Sequence, residues 1–178
     1  MKALLVIDML NDFLTGSLKC ERAFHIVPEI KKVSDAFREQ GLPVVYCNDA
    51  HIKGIDREIS MWGEHAMAGT RGAEVIEELA PQTGDYIVPK RRYSCFFGTE
   101  LDMLLRELGV DEVVLTGLHA NLCVRHTAAD AYFLGYGVTV LSDCTEALSQ
   151  EDYDSGLEYI RKYYGAKVMD SRDLLGEL

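Results

Sequence analysis

The chain has 178 residues, of which 48% are apolar and 26% are charged, and its formal net charge is −11 at pH 7. This composition is typical of a globular protein with enough apolar side chains for one hydrophobic core, so we expect a single domain over residues 1–178. The acidic balance argues against a nucleic-acid partner, which requires a basic face. No apolar run approaches the roughly 18 residues of a membrane span, so we expect no membrane partner.

The amino-terminal segment and the cysteines indicate the cellular compartment in which we expect the protein. The opening MKALLVIDMLNDF has a short apolar run that Asp8 interrupts, and no small-residue cleavage site follows it. This pattern predicts a first strand and not a signal peptide. The five cysteines are odd in number, widely spaced and without a CxxC pair, which disfavours both a disulfide framework and a zinc knuckle. These features favour a cytoplasmic protein.

Short runs of β-forming residues alternate with amphipathic segments of helical length. Near-continuous apolar runs are typical of parallel strands covered on both faces, and they predict strands at 3–8, 43–48, 85–89, 112–117, 138–143 and 166–169. Apolar residues at helical spacing predict helices at 26–41, 99–109, 123–135 and 151–164. The alternation predicts an α/β fold: a Rossmann-like doubly wound sandwich with a mainly parallel sheet of about six strands and helices on both faces.

Three reactive residues lie at predicted strand ends, where ligands bind in such sheets. Asp8 ends the first strand, Lys90 follows the third, and Cys123 begins the helix after the fourth. Taken singly, Asp8 is best interpreted as a helix cap, Lys90 as a solvated lysine and Cys123 as a small core residue. An acid, a cation and a thiol at three ends of one sheet converge, however, and together they indicate a catalytic site.

Three sequence blocks resemble the signature blocks of the isochorismatase-like cysteine hydrolases. They are DMLNDF (8–13), KRRYSCFFGTELD (90–102) and GLHANLCVRHTAADA (117–131), in the family's order. The resemblance implies a catalytic triad of Asp8, Lys90 and Cys123. In the chemistry of such a triad, Lys90 and the helix start favour the thiolate, Asp8 accepts the thiol proton, and attack on an amide gives a thioester that water hydrolyses.

The block that contains the cysteine also implies the surroundings of the reacting carbonyl. The resemblance implies a cis peptide between Leu118 and His119, and the backbone N–H groups of His119 and Cys123 are the natural oxyanion hole. The family often has threonine where this chain has Ala120, and His119 is large for its position. These two departures affect the shape of the pocket and not the triad.

A second group of polar residues begins at the end of the second strand. Asp49 and His51 lie two residues apart, and Glu58 and His65 follow in the long polar segment 49–84, for which we also expect one helix over 72–80. Two imidazoles and two carboxylates suit zinc, manganese or iron, although scattered surface histidines are the alternative interpretation of this spacing. The pattern resembles the metal loop of nicotinamidases, in which a metal holds the pyridine nitrogen. The resemblance implies a divalent metal on these four residues, with zinc favoured and manganese or iron as alternatives.

Aromatic residues near both groups are candidates for the substrate pocket. Phe13 and Tyr93 belong to the signature blocks, and Trp62 lies in the metal loop, where packing under the loop is the alternative. We expect Asp12 to be a cap or structural residue. Arg91 and Arg92 are expected to be solvated, with contact to a carboxylate product or a neighbouring subunit as alternatives.

The sequence therefore predicts a cysteine amidohydrolase that cleaves nicotinamide to nicotinate and ammonia. A second interpretation remains open, in which a related amidohydrolase acts on a carbamoyl, ureido or other small amide without a functional metal. A non-catalytic protein on the same fold is disfavoured because all three triad residues are present. The expected partners are a small-molecule amide substrate and, from the resemblance, further copies of the chain in a dimer or tetramer.

Overall fold

The computed structural model describes residues 1–178 as six strands that alternate with helices. The strands are β1 (Lys2–Ile7), β2 (Val44–Asp49), β3 (Tyr86–Lys90), β4 (Glu112–Leu118), β5 (Gly137–Glu146) and β6 (Lys167–Met169). The helices are α1 (Asn11–Leu14), α2 (Val27–Glu39), α3 (Ile59–Trp62), α4 (Leu101–Glu107), α5 (Cys123–Phe133), α6 (Gln150–Tyr164) and α7 (Ser171–Glu177). Short 3₁₀ turns lie at Glu21–His25, Arg71–Ala73 and Glu77–Leu79. None of the helices is long and apolar enough to cross a bilayer.

The strands form one sheet in the order β3-β2-β1-β4-β5-β6. Every neighbouring pair is parallel, so the predicted α/β class is confirmed and the sheet is parallel throughout. The chain builds outward from β1 in one direction and then from β4 in the other. In sheets of this order, ligands bind in the crevice outside the carboxyl ends of the two central strands.

Side chains from both faces of the sheet are covered by helices. Successive residues of β1 alternate between two cores: Leu5 and Ile7 pack with residues of α4, α5 and α6, while Leu4 and Val6 pack with residues of α2 and α7. The two cores contain 25 and 22 buried residues, so neither face is left open. A sheet packed on both sides is a rigid support for residues at its edge.

The structure contradicts the helix expected over 72–80. This stretch contains two 3₁₀ turns, Arg71–Ala73 and Glu77–Leu79, instead of an α-helix. The reason is pairing with a distant segment: Ile76 N–H donates to the Met9 carbonyl at 3.0 Å, and Val75 forms a bridge with Leu10. Backbone groups that are used in this way are not free to form the i→i−4 bonds of a helix.

Candidate active site

The carboxyl ends of β1 and β3 and the start of α5 bring three reactive side chains into contact. The Nζ atom of Lys90 lies 2.8 Å from Oδ2 of Asp8 and 3.6 Å from Sγ of Cys123. All three residues are 5% exposed or less. The structure thus places an acid, an ammonium group and a thiol together in a buried site. These are the three residues that the sequence analysis predicts to converge.

The backbone of Asp8 turns its side chain toward the neighbouring strand. Its φ of 54° is in the left-handed region, which non-glycine residues adopt at a cost of about 1–3 kcal/mol and mainly at functional sites. Asp8 Oδ1 accepts the N–H of Asp49 at 2.8 Å, and Asp8 N–H donates to the Cys47 carbonyl at 3.1 Å. These bonds fix the carboxylate over the end of β2.

One ammonium group serves two buried carboxylates. Lys90 Nζ also contacts Oδ1 of Asp49 at 2.5 Å. Burial by itself lowers the pKa of Lys90, but the charges of Asp49 and Asp8 outweigh it, so the pKa is raised well above its usual value. Burial, together with the charge of Asp49, raises the pKa of Asp8 to about 6, with Lys90 acting in the opposite direction. Lys90 therefore remains charged, while Asp8 titrates close to neutral pH.

The electrostatics of Cys123 correct one expectation from the sequence. Burial raises the pKa of its thiol well above the usual value, the charge of Lys90 acts in the opposite direction, and the nearby Asp8 and Asp49 carboxylates add to the rise. We expected Lys90 and the start of the helix to favour a thiolate. The sequence did not reveal how completely this site is buried, and burial is the main reason that the thiol form is favoured at rest.

The backbone before Cys123 leaves two amide donors without protein acceptors. The peptide between Leu118 and His119 is cis, at the bond that the family resemblance indicates. The N–H groups of His119 and Cys123 donate to no acceptor in the protein. Asn121 Nδ2 donates to Asp152 Oδ1 at 2.9 Å, which ties this segment to α6. The arrangement suits an oxyanion that forms beside the sulfur.

A second cluster of polar side chains lies directly beside the first. Potential ligand atoms of Asp49, His51, Glu58 and His65 lie within 4.8 Å of one another, and all four residues are buried. Nε2 of His51 is 3.6 Å from Oδ2 of Asp49 and 3.8 Å from Oε2 of Glu58, and this buried nitrogen has no hydrogen-bond partner. Asp49 belongs to both clusters, since its other oxygen contacts Lys90.

The donor set fits a divalent cation. Burial, reinforced by the charge of Asp49, raises the pKa of Glu58 to about 7. His65 directs Nδ1 at the Gly63 carbonyl, 2.8 Å away, which leaves Nε2 available as a ligand. The cluster contains two carboxylates close together, one imidazole nitrogen without a hydrogen-bond partner, and a second imidazole whose ring is held in place. A divalent cation bound between these groups would offset the charge of the carboxylates and use the imidazole nitrogens as ligands.

A cavity of about 250 Å³ joins the two clusters. The predicted pocket residues Phe13, Trp62 and Tyr93 all line it, and Trp62 Nε1 donates to the Tyr93 hydroxyl at 3.0 Å. The His119 ring lies edge-on to Phe13 with centroids 5.9 Å apart, and burial lowers the pKa of His119 to about 4, so the ring is neutral. The remaining lining residues are Ser17, Leu18, Lys19, Asp49, Glu58, His65, Leu122, Cys123 and Leu148.

Several contacts around the site differ from the sequence-based expectation or were missed by it. Arg91 is not simply solvated, because its Nε atom donates to the buried carboxylate of Asp56 at 2.7 Å. Asp56 has no signal of its own in the sequence, where it resembles any loop carboxylate.

Leu18, Lys19 and Leu148 reach the cavity from segments outside the signature blocks. Asp12 is structural as expected, since its Oδ2 accepts the Ala66 N–H at 2.8 Å.

Strand order and site together define the class: an α/β protein whose Rossmann-ordered sheet carries a cysteine, a lysine and an aspartate at its carboxyl edge. Comparison with known proteins specifies the family. The family model described as "Isochorismatase domain" matches residues 2–173. The chain therefore belongs to the isochorismatase family.

Solved structures that resemble the chain differ in the activities that their names state. N-carbamoylsarcosine amidase from Thermoplasma acidophilum is 46% identical with a TM-score of 0.90, and the match covers 96% of each chain. Nicotinamidase PncA from Bacillus subtilis is 34% identical with a TM-score of 0.91, covering 95% of this chain and 99% of that one. A pyrazinamidase from Pyrococcus horikoshii, solved in complex with zinc, is 31% identical with a TM-score of 0.87, covering 95% and 98%. The relatives therefore include enzymes for different small amides.

Proposed function

We propose that the protein is a metal-assisted cysteine amidase that hydrolyses nicotinamide to nicotinate and ammonia. The observation that carries the proposal is the shared cavity, which is lined by Cys123 of the first cluster and by Glu58 and His65 of the second. A flat ring between the aromatic walls of this cavity can present its carboxamide to the thiol while its ring nitrogen faces the metal cluster. The similarity to nicotinamidase PncA supports this arrangement.

The proposed reaction uses the three triad residues in two stages. In the first, Asp8 takes the proton of Cys123 as sulfur attacks the amide carbon, and the N–H groups of His119 and Cys123 receive the oxyanion. Collapse of the tetrahedral adduct breaks the C–N bond, and Asp8 returns the proton to the departing nitrogen, which leaves as ammonia. In the second, Asp8 takes a proton from water as water attacks the thioester, and this proton passes to the released sulfur.

Lys90 keeps its proton throughout this sequence. Its contacts with Asp8 and Cys123 lower the cost of the negative charge that moves between carboxylate and sulfur. The proposed metal ligands are Asp49, His51, Glu58 and His65, and zinc is the proposed metal because the Pyrococcus horikoshii pyrazinamidase was solved with it. A divalent cation held there would supply a Lewis-acidic anchor for the ring nitrogen.

A second candidate function has its own support. The 46% identity to N-carbamoylsarcosine amidase favours a carbamoyl compound as the substrate. The cavity wall also contains Lys19, an exposed cation whose Nζ lies 3.1 Å from Oε1 of Glu21. A substrate with a carboxylate would find a counter-charge in Lys19, whereas nicotinamide would not use it.

Ammonia release from a panel of amides distinguishes the two candidates. Nicotinamide, pyrazinamide and N-carbamoylsarcosine are assayed with one preparation whose metal content is measured at the same time. We expect turnover of nicotinamide that is lost after chelation and restored by zinc. Turnover of N-carbamoylsarcosine alone, unchanged by chelation, selects the second candidate instead.

Two further proposals concern the setting of the enzyme. We propose a cytoplasmic location, which agrees with five free cysteines. We also propose a homodimer or homotetramer, which agrees with the exposed apolar side chains of Met61, Phe97 and Phe133 around one surface groove. Light scattering of the purified protein gives the assembly mass, and a mass of one chain would contradict an oligomer.

A further inference from the structure

We propose that Asp56 is a positioning residue that holds His51 with its Nε2 lone pair directed into the metal cluster. This inference rests on the metal site of the proposed function and adds a residue outside the four ligands. Asp56 lies in the loop between β2 and α3, and the sequence gives no indication of its role.

The contacts of Asp56 are those of a fixed and fully buried acceptor. Its side chain and that of His51 are both 0% exposed. Oδ2 of Asp56 accepts the backbone N–H of Ile52 at 2.7 Å and lies 3.3 Å from Nδ1 of His51. A carboxylate in this position can only accept, so the hydrogen bond requires the His51 proton to be on Nδ1.

The tautomer set by Asp56 determines what His51 offers to a cation. With the proton on Nδ1, Nε2 carries a lone pair, and this is the nitrogen that faces Asp49 and Glu58 without a hydrogen-bond partner. The opposite tautomer would place an N–H where a ligand is needed. A carboxylate behind a ligating histidine is a known means of fixing ring orientation and raising ligand basicity.

Arg91 keeps the Asp56 carboxylate in the form that this role needs. Its guanidinium donates to Oδ1 of Asp56, with Nε at 2.7 Å, and an opposite charge at this distance favours the ionised carboxylate. Arg91 directly follows Lys90 at the end of β3. The Asp56–Arg91 pair therefore fastens the metal loop to the strand that carries the catalytic lysine, and both clusters keep one relative position.

The chain contains a matched control for the loss of a buried ion pair. Asp85 accepts from Arg38 through both of its oxygens, at 3.1 and 2.8 Å, and also accepts the N–H of Gln82 at 2.7 Å. Its side chain is 3% exposed, and it contacts neither cluster. Asp85→Asn thus removes a similar carboxylate from a similar arginine without touching the metal site.

The test measures zinc binding to metal-free protein by calorimetry for the unaltered chain, Asp56→Ala, Asp56→Asn and Asp85→Asn. We expect zinc affinity to fall about 10–100-fold in Asp56→Ala. Asp56→Asn keeps one accepting oxygen and should lose less, while Asp85→Asn should bind as the unaltered chain does. Thermal melting of each metal-free variant confirms that it is folded.

Nitrogen NMR of the His51 ring supplies a readout that does not depend on activity. At an alkaline pH, where the ring is neutral, metal-free unaltered protein should show the proton on Nδ1, and Asp56→Ala should show a mixture of tautomers. Equal zinc affinity in Asp56→Ala and the unaltered chain, or no zinc binding by the unaltered chain, overturns the inference. Nicotinamide turnover is measured separately. Absence of turnover would contradict nicotinamide as the substrate without affecting this role of Asp56, and unchanged zinc affinity in Asp56→Ala would contradict this role without affecting the proposed substrate.

Discussion

The thiol of Cys123 is buried, its pKa is raised well above the usual value, and its sulfur contacts the buried ammonium group of Lys90. These properties suit a nucleophile that loses its proton during attack instead of beforehand. Such a cysteine should react slowly with alkylating reagents when no substrate is bound, because the reagent needs the thiolate. Reactivity of the free enzyme is therefore a poor guide to its catalytic capacity.

Replacement of Cys123 tests the nucleophile directly. We expect Cys123→Ala to reduce ammonia release on the order of 10⁴-fold or more, as removal of a catalytic nucleophile does in other hydrolases. The fold should remain, because the substitution removes one sulfur atom and leaves the ion pairs of Lys90 with Asp8 and Asp49 in place. Cys20→Ala, at another buried cysteine far along the chain, is the control. Retention of a tenth or more of the activity by Cys123→Ala would exclude a thioester route.

The pH dependence of the reaction follows from Asp8. Its pKa of about 6, against a usual value of 3.8, results from burial and from the charge of Asp49. Since Asp8 must be ionised to take the thiol proton, kcat/KM should be full above the folded-state pKa and fall about tenfold per unit below it. Rates measured between about pH 4.5 and 8 at constant metal should give an acid midpoint near 6. A midpoint near 4 would contradict the raised pKa of Asp8, and an acid limb that persists unchanged in Asp8→Asn would show that Asp8 is not the base.

At the scale of elements, the predictable parts of the structure are those with periodic patterns. Buried parallel strands are nearly continuous apolar runs, so β1 to β6 could be located to within a few residues. The contact of Asp8, Lys90 and Cys123 could be predicted because each of them lies at a strand or helix end. The structure of segment 72–80 could not be predicted in this way. Its backbone pairs with Met9 and Leu10, and no local sequence pattern indicates a distant pairing. Asp56 was missed because no local pattern shows that Arg91, which lies 35 residues further along the chain, donates to its carboxylate.

The close approach of β1 and β4 depends on one glycine. Gly117 has a φ of 99°, and a Cβ built there would lie 2.0 Å from the carbonyl oxygen of Ile7. Backbone atoms in a central strand cannot move aside cheaply, so Gly117→Ala should destabilise the protein by about 3 kcal/mol or more. Urea unfolding checks this value. The control is Gly176→Ala in α7, where a Cβ meets nothing within 4 Å; equal stability of the two variants would contradict the close approach.

At the scale of the whole molecule, the proposed metal site closes the loop 49–65 onto the end of β2. Asp49 ends β2, His51 and Glu58 lie in the loop that follows, and His65 lies beyond α3, where Asp12 holds the neighbouring Ala66. The loop packs few of its side chains into either core; α3, for example, has no buried residue. Local stability of this region should therefore depend on the contacts that the four ligands make.

Zinc should consequently raise the thermal stability of the entire protein. A ligand that binds only the folded state stabilises it by about 2.7 kcal/mol at a free concentration of 100 times Kd. For a domain of this size, that corresponds to a rise in Tm of roughly 5–10 °C. Differential scanning calorimetry with and without zinc measures the rise, and His65→Ala should abolish most of it because one ligand is removed. An unchanged Tm at saturating zinc would mean that these four residues do not form a metal site in the folded protein.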